Sequence, residues 1–204
     1  MKIKICGLNP IRDVQLCIDL KVNYLGFVFY EKSPRNISLP EIKKLSNYDK
    51  KESSFVAVTV NPSNEFIKKN LIDNFDFIQL HGSESKDRVE EIKGMGFKII
   101  KAIKVKEVKD IDKHKEFNNA DIILFDTPSM EKTSEFPKDL IAKLPQGEKY
   151  ALAGSISRDN VEIISKLGVN FFDLSSSLES QLGYKDHLKI EDFVTHVKKI
   201  NNEN

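Results

Sequence analysis

Short hydrophobic runs alternate with helix-like patterns along the whole chain. Eight runs have the length and residue types of β-strands, and several are almost continuously apolar, as in parallel sheets buried on both faces. The predicted strands are 2–6, 24–29, 55–60, 77–81, 98–103, 121–126, 150–153 and 171–175. Between them, hydrophobic residues recur three and four positions apart, which predicts amphipathic helices.

The repeat of strand and helix has a period of roughly 25 residues, which implies right-handed βαβ units. Eight such units favour a single α/β domain of the (β/α)8 TIM barrel type. An open doubly wound sheet is the alternative, although it usually has fewer strands. We expect the barrel domain to span residues 1–200 and residues 201–204 to form a frayed polar tail.

Composition narrows the class of protein. The chain has 204 residues, 40% of them hydrophobic, and a formal net charge of +1. A net charge this small gives no reason to expect a nucleic-acid partner. No apolar run approaches the roughly 20 residues that cross a bilayer, and the alternating N-terminus does not resemble a signal peptide. We therefore expect no membrane partner. Two cysteines are too few for a disulfide framework, so we expect a cytoplasmic protein.

Chemistry in a TIM barrel lies at the C-terminal ends of the strands. Several reactive or small residues follow the predicted strands directly, and one arginine lies in the loop after the second strand. These candidate site residues are Cys6, Arg35, Gln79, His81, Asp126, Gly154, Ser155, Ser176 and Ser177. All of them are expected to face one mouth of the barrel.

Cys6 and Asp126 are the candidate acid/base pair. A thiolate base requires a pKa below about 8.5, and a carboxylic acid active near neutrality requires one above about 3.9. The structural alternatives are a small buried hydrophobe for Cys6 and a cap on a rim amide for Asp126. Cys17 lies on the apolar face of a predicted helix, where we expect it to be core.

The remaining candidates suit a substrate that carries a carboxylate and a phosphate. The planar fork of Arg35 can hold a carboxylate by two hydrogen bonds, although a loop arginine is usually only solvated. Small residues after the seventh and eighth strands allow backbone amides to approach a phosphate, although they also simply make turns. His81 has no second histidine or cysteine at metal-ligand spacing, so we expect no metal.

Taken together, these motifs resemble the phosphoribosylanthranilate isomerase family of tryptophan biosynthesis. The resemblance runs from Lys4 to about Phe193. The segments that carry it are Lys4–Gly7, Leu25–Phe29, Ser33–Arg35, Gln79–Gly82, Leu124–Asp126, Leu152–Gly154, Asp159–Val161, Asp173–Ser176, Leu178–Glu179 and Gly183–Asp186.

The resemblance implies a (β/α)8 isomerase that converts N-(5-phosphoribosyl)anthranilate to 1-(2-carboxyphenylamino)-1-deoxyribulose 5-phosphate by an Amadori rearrangement. It implies that Cys6 is the general base, that Asp126 is the general acid and that Arg35 holds the anthranilate carboxylate. Gln79, His81 and the small residues of the phosphate corner would contact the substrate. No cofactor is implied, the partner is a small phosphorylated molecule, and a monomer or homodimer is expected.

The chain departs from the family on the phosphate side of the mouth. Pro128–Glu135 contains no glycine where the family has a Gly-Gly-Thr-Gly run, and Ser155 and Ser177 stand where it has glycines. Each serine adds a Cβ and disfavours backbone angles that glycine takes easily, while Lys132 could add charge. Two alternatives therefore stay open: a ligand-binding or regulatory barrel without this activity, and an isomerase of another phosphorylated aminosugar.

Overall fold

The eight predicted strands close into one parallel barrel in the computed structural model, which describes residues 1–127 and 136–203. Each strand pairs with the next in chain order, and the eighth pairs with the first. The strands are β1 (Lys2–Cys6), β2 (Tyr24–Phe29), β3 (Ser54–Thr59), β4 (Phe77–Leu80), β5 (Lys98–Lys104), β6 (Ile122–Asp126), β7 (Tyr150–Ala153) and β8 (Phe171–Leu174). The (β/α)8 prediction is confirmed, with strand limits correct to within one residue at each end.

Helices follow the strands and cover the outside of the barrel. They are α1 (Val14–Asp19), α2 (Leu39–Leu45), α3 (Asn64–Asn70), α4 (Lys86–Lys93), α5 (Val108–Ile111), α6 (Lys138–Ile141), α7 (Val161–Lys166) and α8 (His187–Glu203). Side-chain caps begin two of the helices: the hydroxyl of Ser63 accepts from the amide of Phe66, and that of Ser85 from the amide of Arg88, both at 3.2 Å. The glycine-free segment Pro128–Glu135, with Lys132, lies outside the described residues.

Inward and outward side chains form two separate apolar clusters because successive residues of a strand point to opposite faces. The larger cluster lies between the strands and the helices and includes Cys17, which is fully buried as predicted. The smaller cluster fills the barrel interior. At its base, Tyr24 stacks on Phe171 with ring centroids 4.9 Å apart and meets the edge of Phe77.

The last helix includes three of the four residues for which the sequence predicts a polar tail. Helix α8 continues through Asn201 and Asn202 to Glu203. The side-chain oxygen of Asn201 accepts a hydrogen bond of 2.7 Å from the ammonium group of Met1, which ties the end of the helix to the start of β1. Within the described ranges, no helix is both long and apolar enough to cross a membrane.

Candidate active site

A buried ion pair lies directly beneath Cys6 in the barrel. Lys4 and Cys6 are two residues apart on β1 and therefore face the same side, toward the interior. The Lys4 ammonium donates to both carboxylate oxygens of Asp173 on β8, at 2.9 and 2.8 Å. Both side chains are almost fully buried, with 1% and 6% exposed. The sequence candidates include neither residue of this pair.

The Cys6 thiol is not the low-pKa group that the sequence led us to expect. Burial raises the pKa of Cys6 above its ordinary value, the positive charge of Lys4 opposes that rise, and the negative charge of Asp173 adds to it. Burial by itself would lower the pKa of Lys4, but Asp173 and Cys6 outweigh it and raise that pKa. Lys4 therefore places a positive charge next to the sulfur at neutral pH.

Gly26 on β2 makes room for this arrangement. A Cβ at this position would lie 3.2 Å from the ammonium nitrogen of Lys4, 3.4 Å from the sulfur of Cys6 and 3.1 Å from the Cα of Cys6. Any larger residue would push against the Cys6 sulfur and the Lys4 ammonium together. The glycine of the Leu25–Phe29 motif is therefore explained by packing, because a side chain at this position would crowd the candidate site.

Asp126 ends β6 and faces a histidine from across the mouth. Its Oδ2 atom lies 3.1 Å from Nε2 of His81, and the other ring nitrogen, Nδ1, lies 3.4 Å from Nε2 of Gln79. Gln79 is buried, and its oxygen has no hydrogen-bond partner among the described residues. The structure therefore brings three of the predicted residues together in one row.

Arg35 reaches the mouth with one edge of its guanidinium already bound. Its Nε and Nη2 atoms donate to the two oxygens of Glu179, at 2.5 and 2.8 Å. Lys185, which is fully buried, donates to the same carboxylate at 2.9 Å. Glu179 and Lys185 belong to a two-stranded hairpin, β9 (Glu179–Gln181) and β10 (Tyr184–Lys185), that follows β8. The second edge of the fork consists of Nη1 and the other N–H of Nη2, and these groups are not the ones that donate to Glu179.

The predicted phosphate corner has kept a glycine-like backbone. Gly154 has φ of +104°, and a Cβ there would lie 2.6 Å from the hydroxyl of Thr127. Ser155 also has positive φ, +50°, so the serine takes the left-handed conformation that we expected its Cβ to disfavour. After β8, Ser176–Leu178 form a short 3-10 helix that includes Ser177.

A second buried pair supports the loop that follows His81. The Lys101 ammonium donates to Glu84 at 2.7 Å and to the carbonyl oxygen of Gly82 at 3.0 Å. Glu84 also accepts from the backbone amides of Gly82 and Asn61. Lys101 shares the outward face of β5 with Ile99 and Ile103, so the pair fixes the turn after β4 and positions His81 without entering the mouth.

A separate surface cleft of about 590 Å³ lies between the loop after β2 and helix α3. Phe29, Pro62 and Phe66 line it, and neither Cys6 nor Asp126 contributes to it. Within residues 1–127 and 136–203, no three His, Cys, Asp or Glu side chains are close enough to hold a metal ion. The mouth of the barrel is thus the place where the candidate catalytic groups meet.

Nearly the whole chain is similar to one enzyme family. The sequence model of the N-(5'phosphoribosyl)anthranilate (PRA) isomerase family matches residues 3–196. The chain belongs to this family. The N-(5'-phosphoribosyl)anthranilate isomerase of Aquifex aeolicus is 38% identical over 97% of this chain and 98% of its own length.

Solved structures from the isomerase family agree with the sequence. The phosphoribosyl anthranilate isomerase of Thermotoga maritima superposes with a TM-score of 0.86 at 26% identity, over 98% of this chain and 99% of that one. A structure of the isomerase in complex with reduced 1-(o-carboxyphenylamino)-1-deoxyribulose 5-phosphate gives a TM-score of 0.81 at 26% identity, with the same coverage.

The site residues that sequence reasoning missed lie within the motifs that carry the family resemblance. They are Lys4, Asp173, Glu179 and Lys185. Strand alternation could have found Lys4, because it shares the inward face of β1 with Cys6 and a buried lysine requires a partner.

Proposed function

We propose that the protein converts N-(5'-phosphoribosyl)anthranilate to 1-(2-carboxyphenylamino)-1-deoxyribulose 5-phosphate, a step of tryptophan biosynthesis. The observation that carries the proposal is that a chain of this isomerase family has Cys6 and Asp126 at strand ends of the same barrel mouth. We expect the reaction to take place in the cytoplasm, with the protein as a monomer or homodimer.

In the proposed reaction Asp126 is the general acid. It gives a proton to the furanose ring oxygen, the bond between C1′ and that oxygen breaks, and the substrate nitrogen becomes a protonated Schiff base. The carboxylate that remains can accept a hydrogen bond from His81, whose Nε2 atom lies 3.1 Å away. The substrate's own nitrogen donates its lone pair to C1′ as that bond breaks, and the electrons of the broken bond stay on the ring oxygen, so the step itself requires no cofactor.

Cys6 is the proposed general base. Its thiolate removes the proton from C2′, the electrons of that bond form a double bond between C2′ and C1′, and the electrons of the C1′=N double bond return to the nitrogen. The resulting enolamine tautomerises to the ketone. Burial raises the pKa of the thiol and so opposes thiolate formation. Lys4 and the positive charge of the Schiff base both favour it, so the base would become active when ring opening begins.

The rest of the mouth fits the two anionic ends of the substrate. The Nη1 and Nη2 edge of Arg35, which Glu179 leaves open, can hold the anthranilate carboxylate by two parallel hydrogen bonds. Backbone amides of Gly154, Ser155, Ser176 and Ser177 can bind the phosphate. The left-handed backbone at Ser155 supports this assignment and weakens the alternative of a barrel that has lost its ligand.

The direct test is an assay with freshly generated phosphoribosylanthranilate, followed by the loss of its fluorescence. We expect a rate far above spontaneous breakdown, and the deoxyribulose phosphate as product. A folded protein that gives no such rate, and no micromolar binding of the reduced product analogue in calorimetry, would favour a binding or regulatory barrel. Turnover only with another phosphorylated aminosugar would favour the second alternative.

A further inference from the structure

The hydrogen bonds that join Gln79, His81 and Asp126 in a row can be arranged in two ways, and the two arrangements matter for the proposed reaction. Nε2 of His81 faces Oδ2 of Asp126 at 3.1 Å, and Nδ1 faces the Gln79 amide at 3.4 Å. The oxygen of that amide is buried and unpartnered within the described part of the chain. No described residue therefore fixes the orientation of the amide from its far side.

In the first hydrogen-bond pattern the nitrogen of the Gln79 amide faces the ring. It donates to Nδ1 of His81, which must then carry no hydrogen. The single ring proton lies on Nε2 and is donated to Asp126. This pattern favours an ionised Asp126, because a carboxylic acid could accept from Nε2 only with its own hydrogen on the other oxygen, Oδ1.

In the second pattern the amide is turned by half a rotation, which changes its shape very little. Its oxygen now accepts from Nδ1–H of His81, and Nε2 carries no hydrogen. Asp126 can then be a neutral acid whose hydroxyl donates to Nε2. The second pattern differs from the first by one additional proton, which is taken from solvent.

We propose that the Gln79 amide controls how many protons His81 and Asp126 hold together, and that its turned orientation keeps Asp126 in the acid form that can protonate the substrate. Gln79 is then a positioning residue that acts through His81. The inference rests on the proposed function only in the use of the proton, because the two patterns exist without any substrate.

The charged groups that face the row come from three other strands. Asp173 on β8 interacts electrostatically with both Asp126 and His81, but it is paired with Lys4 on β1, and burial raises its own pKa. Cys6 lies above that pair. Lys104 on β5 is aligned with Asp126 in the sheet register and is exposed at the rim, where solvent screens its charge.

Two substitutions of Gln79 should shift the pH dependence of kcat/KM in opposite directions. The carboxylate of Gln79→Glu can only accept, so Nδ1 of His81 should stay protonated. The pH above which kcat/KM falls should then rise by about one unit or more, as for a group next to an opposite charge. Gln79→Met has a similar volume and no acceptor, so His81 should keep its hydrogen on Nε2 and that pH should fall.

Nitrogen NMR of the histidine rings reads the two patterns directly. The chain has four histidines, so the spectrum of His81→Gln assigns the ring of interest. In the unsubstituted protein we expect hydrogen on Nε2 of His81 at high pH and on Nδ1 as the pair takes up its proton. Circular dichroism checks that each variant folds. If Gln79→Glu does not fold, a comparison of the unsubstituted protein with Gln79→Met still tests the proposal.

An unchanged His81 tautomer in all these proteins over the whole pH range would overturn the proposal, as would a shift in the same direction for both variants. The NMR measurement needs no turnover. A protein that shows the tautomer change but no activity with phosphoribosylanthranilate would therefore contradict the proposed function and leave this inference supported.

Discussion

Glu179 holds one edge of the Arg35 guanidinium, with its two oxygens 2.5 and 2.8 Å from Nε and Nη2. A guanidinium has two such edges, so the pair aims the second edge while leaving it available. Charged hydrogen bonds of this kind contribute about 1.5–3 kcal/mol each. The position of Arg35 is therefore set by a residue 144 positions away in sequence.

Arg35→Lys is expected to reduce kcat/KM for phosphoribosylanthranilate by about tenfold to a hundredfold, because an ammonium cannot bind Glu179 and the substrate carboxylate through two parallel pairs. Most of the loss should appear in KM and in the calorimetric affinity for the reduced product analogue. Lys32→Gln, an exposed residue of the same loop, is the control and should change neither. An unchanged affinity in Arg35→Lys would contradict the role of the fork.

Cys6→Ser and Asp126→Asn are each expected to lower kcat by about 100-fold to 10,000-fold, the usual contribution of a general base or acid. Both substitutions keep the size of the side chain, so the midpoint of thermal unfolding should change little. Single-turnover kinetics with phosphoribosylanthranilate measure the chemical step directly. Near-normal turnover by either variant would rule out the assigned role.

The parts of the site that follow from local pattern were predictable from the sequence, because strand limits and strand alternation place residues such as Cys6 and Asp126 at one end of the barrel. The ion pairs were not. Lys4 finds Asp173 only because the eighth strand closes onto the first, 169 positions away. The backbone of Ser155 was not predictable for a different reason, because the tertiary structure imposes an angle that its residue type disfavours.

The ion pair beneath Cys6 should control the reactivity of its thiol. Lys4→Met removes the cation that lowers the pKa of Cys6, so alkylation by iodoacetamide should require higher pH. Asp173→Asn removes the charge that raises it, so alkylation should begin at lower pH. Cys17 should not interfere, because burial raises its pKa to about 12. The same direction of shift in both variants would contradict this account.

Lys4→Met also leaves Asp173 as a buried unpaired charge, which destabilises proteins by about 3–5 kcal/mol. The double variant Lys4→Met with Asp173→Asn is the matched control, because it removes both charges. It should recover much of the stability in urea unfolding and remain slow in catalysis. Recovery of turnover together with stability would show that Lys4 acts only on the fold.

Ser155 offers a test of the phosphate corner. A β-branched residue is strongly disfavoured at φ of +50°, whereas glycine takes that angle easily. Ser155→Val should raise KM for phosphoribosylanthranilate and destabilise the protein by about 1–3 kcal/mol. Ser155→Gly should bind the reduced product analogue more tightly than Ser155→Val does. Equal affinities in the two variants would show that the backbone of this corner does not bind the phosphate.

Acid should unfold the protein partly through Glu84. Burial by itself would raise the pKa of Glu84, but Lys101 and two backbone amides outweigh it and lower the pKa below its ordinary value of 4.5. A lowered pKa in the folded state means that the carboxylate stabilises the fold above about pH 4.5 and that this stability is lost as the pH falls through the folded value. Glu84→Gln imitates the protonated form.

Glu84→Gln should therefore reduce the free energy of unfolding at pH 7 by about 3–5 kcal/mol, because Lys101 is left buried without its carboxylate. The difference from the unsubstituted protein should shrink as the pH falls below 4.5. Glu148→Gln, whose partner Lys2 is on the surface, should change stability little at any pH. Urea unfolding between pH 3 and 7 measures all three proteins, and a difference that stays constant with pH would show that Glu84 acts by its shape and not by its charge.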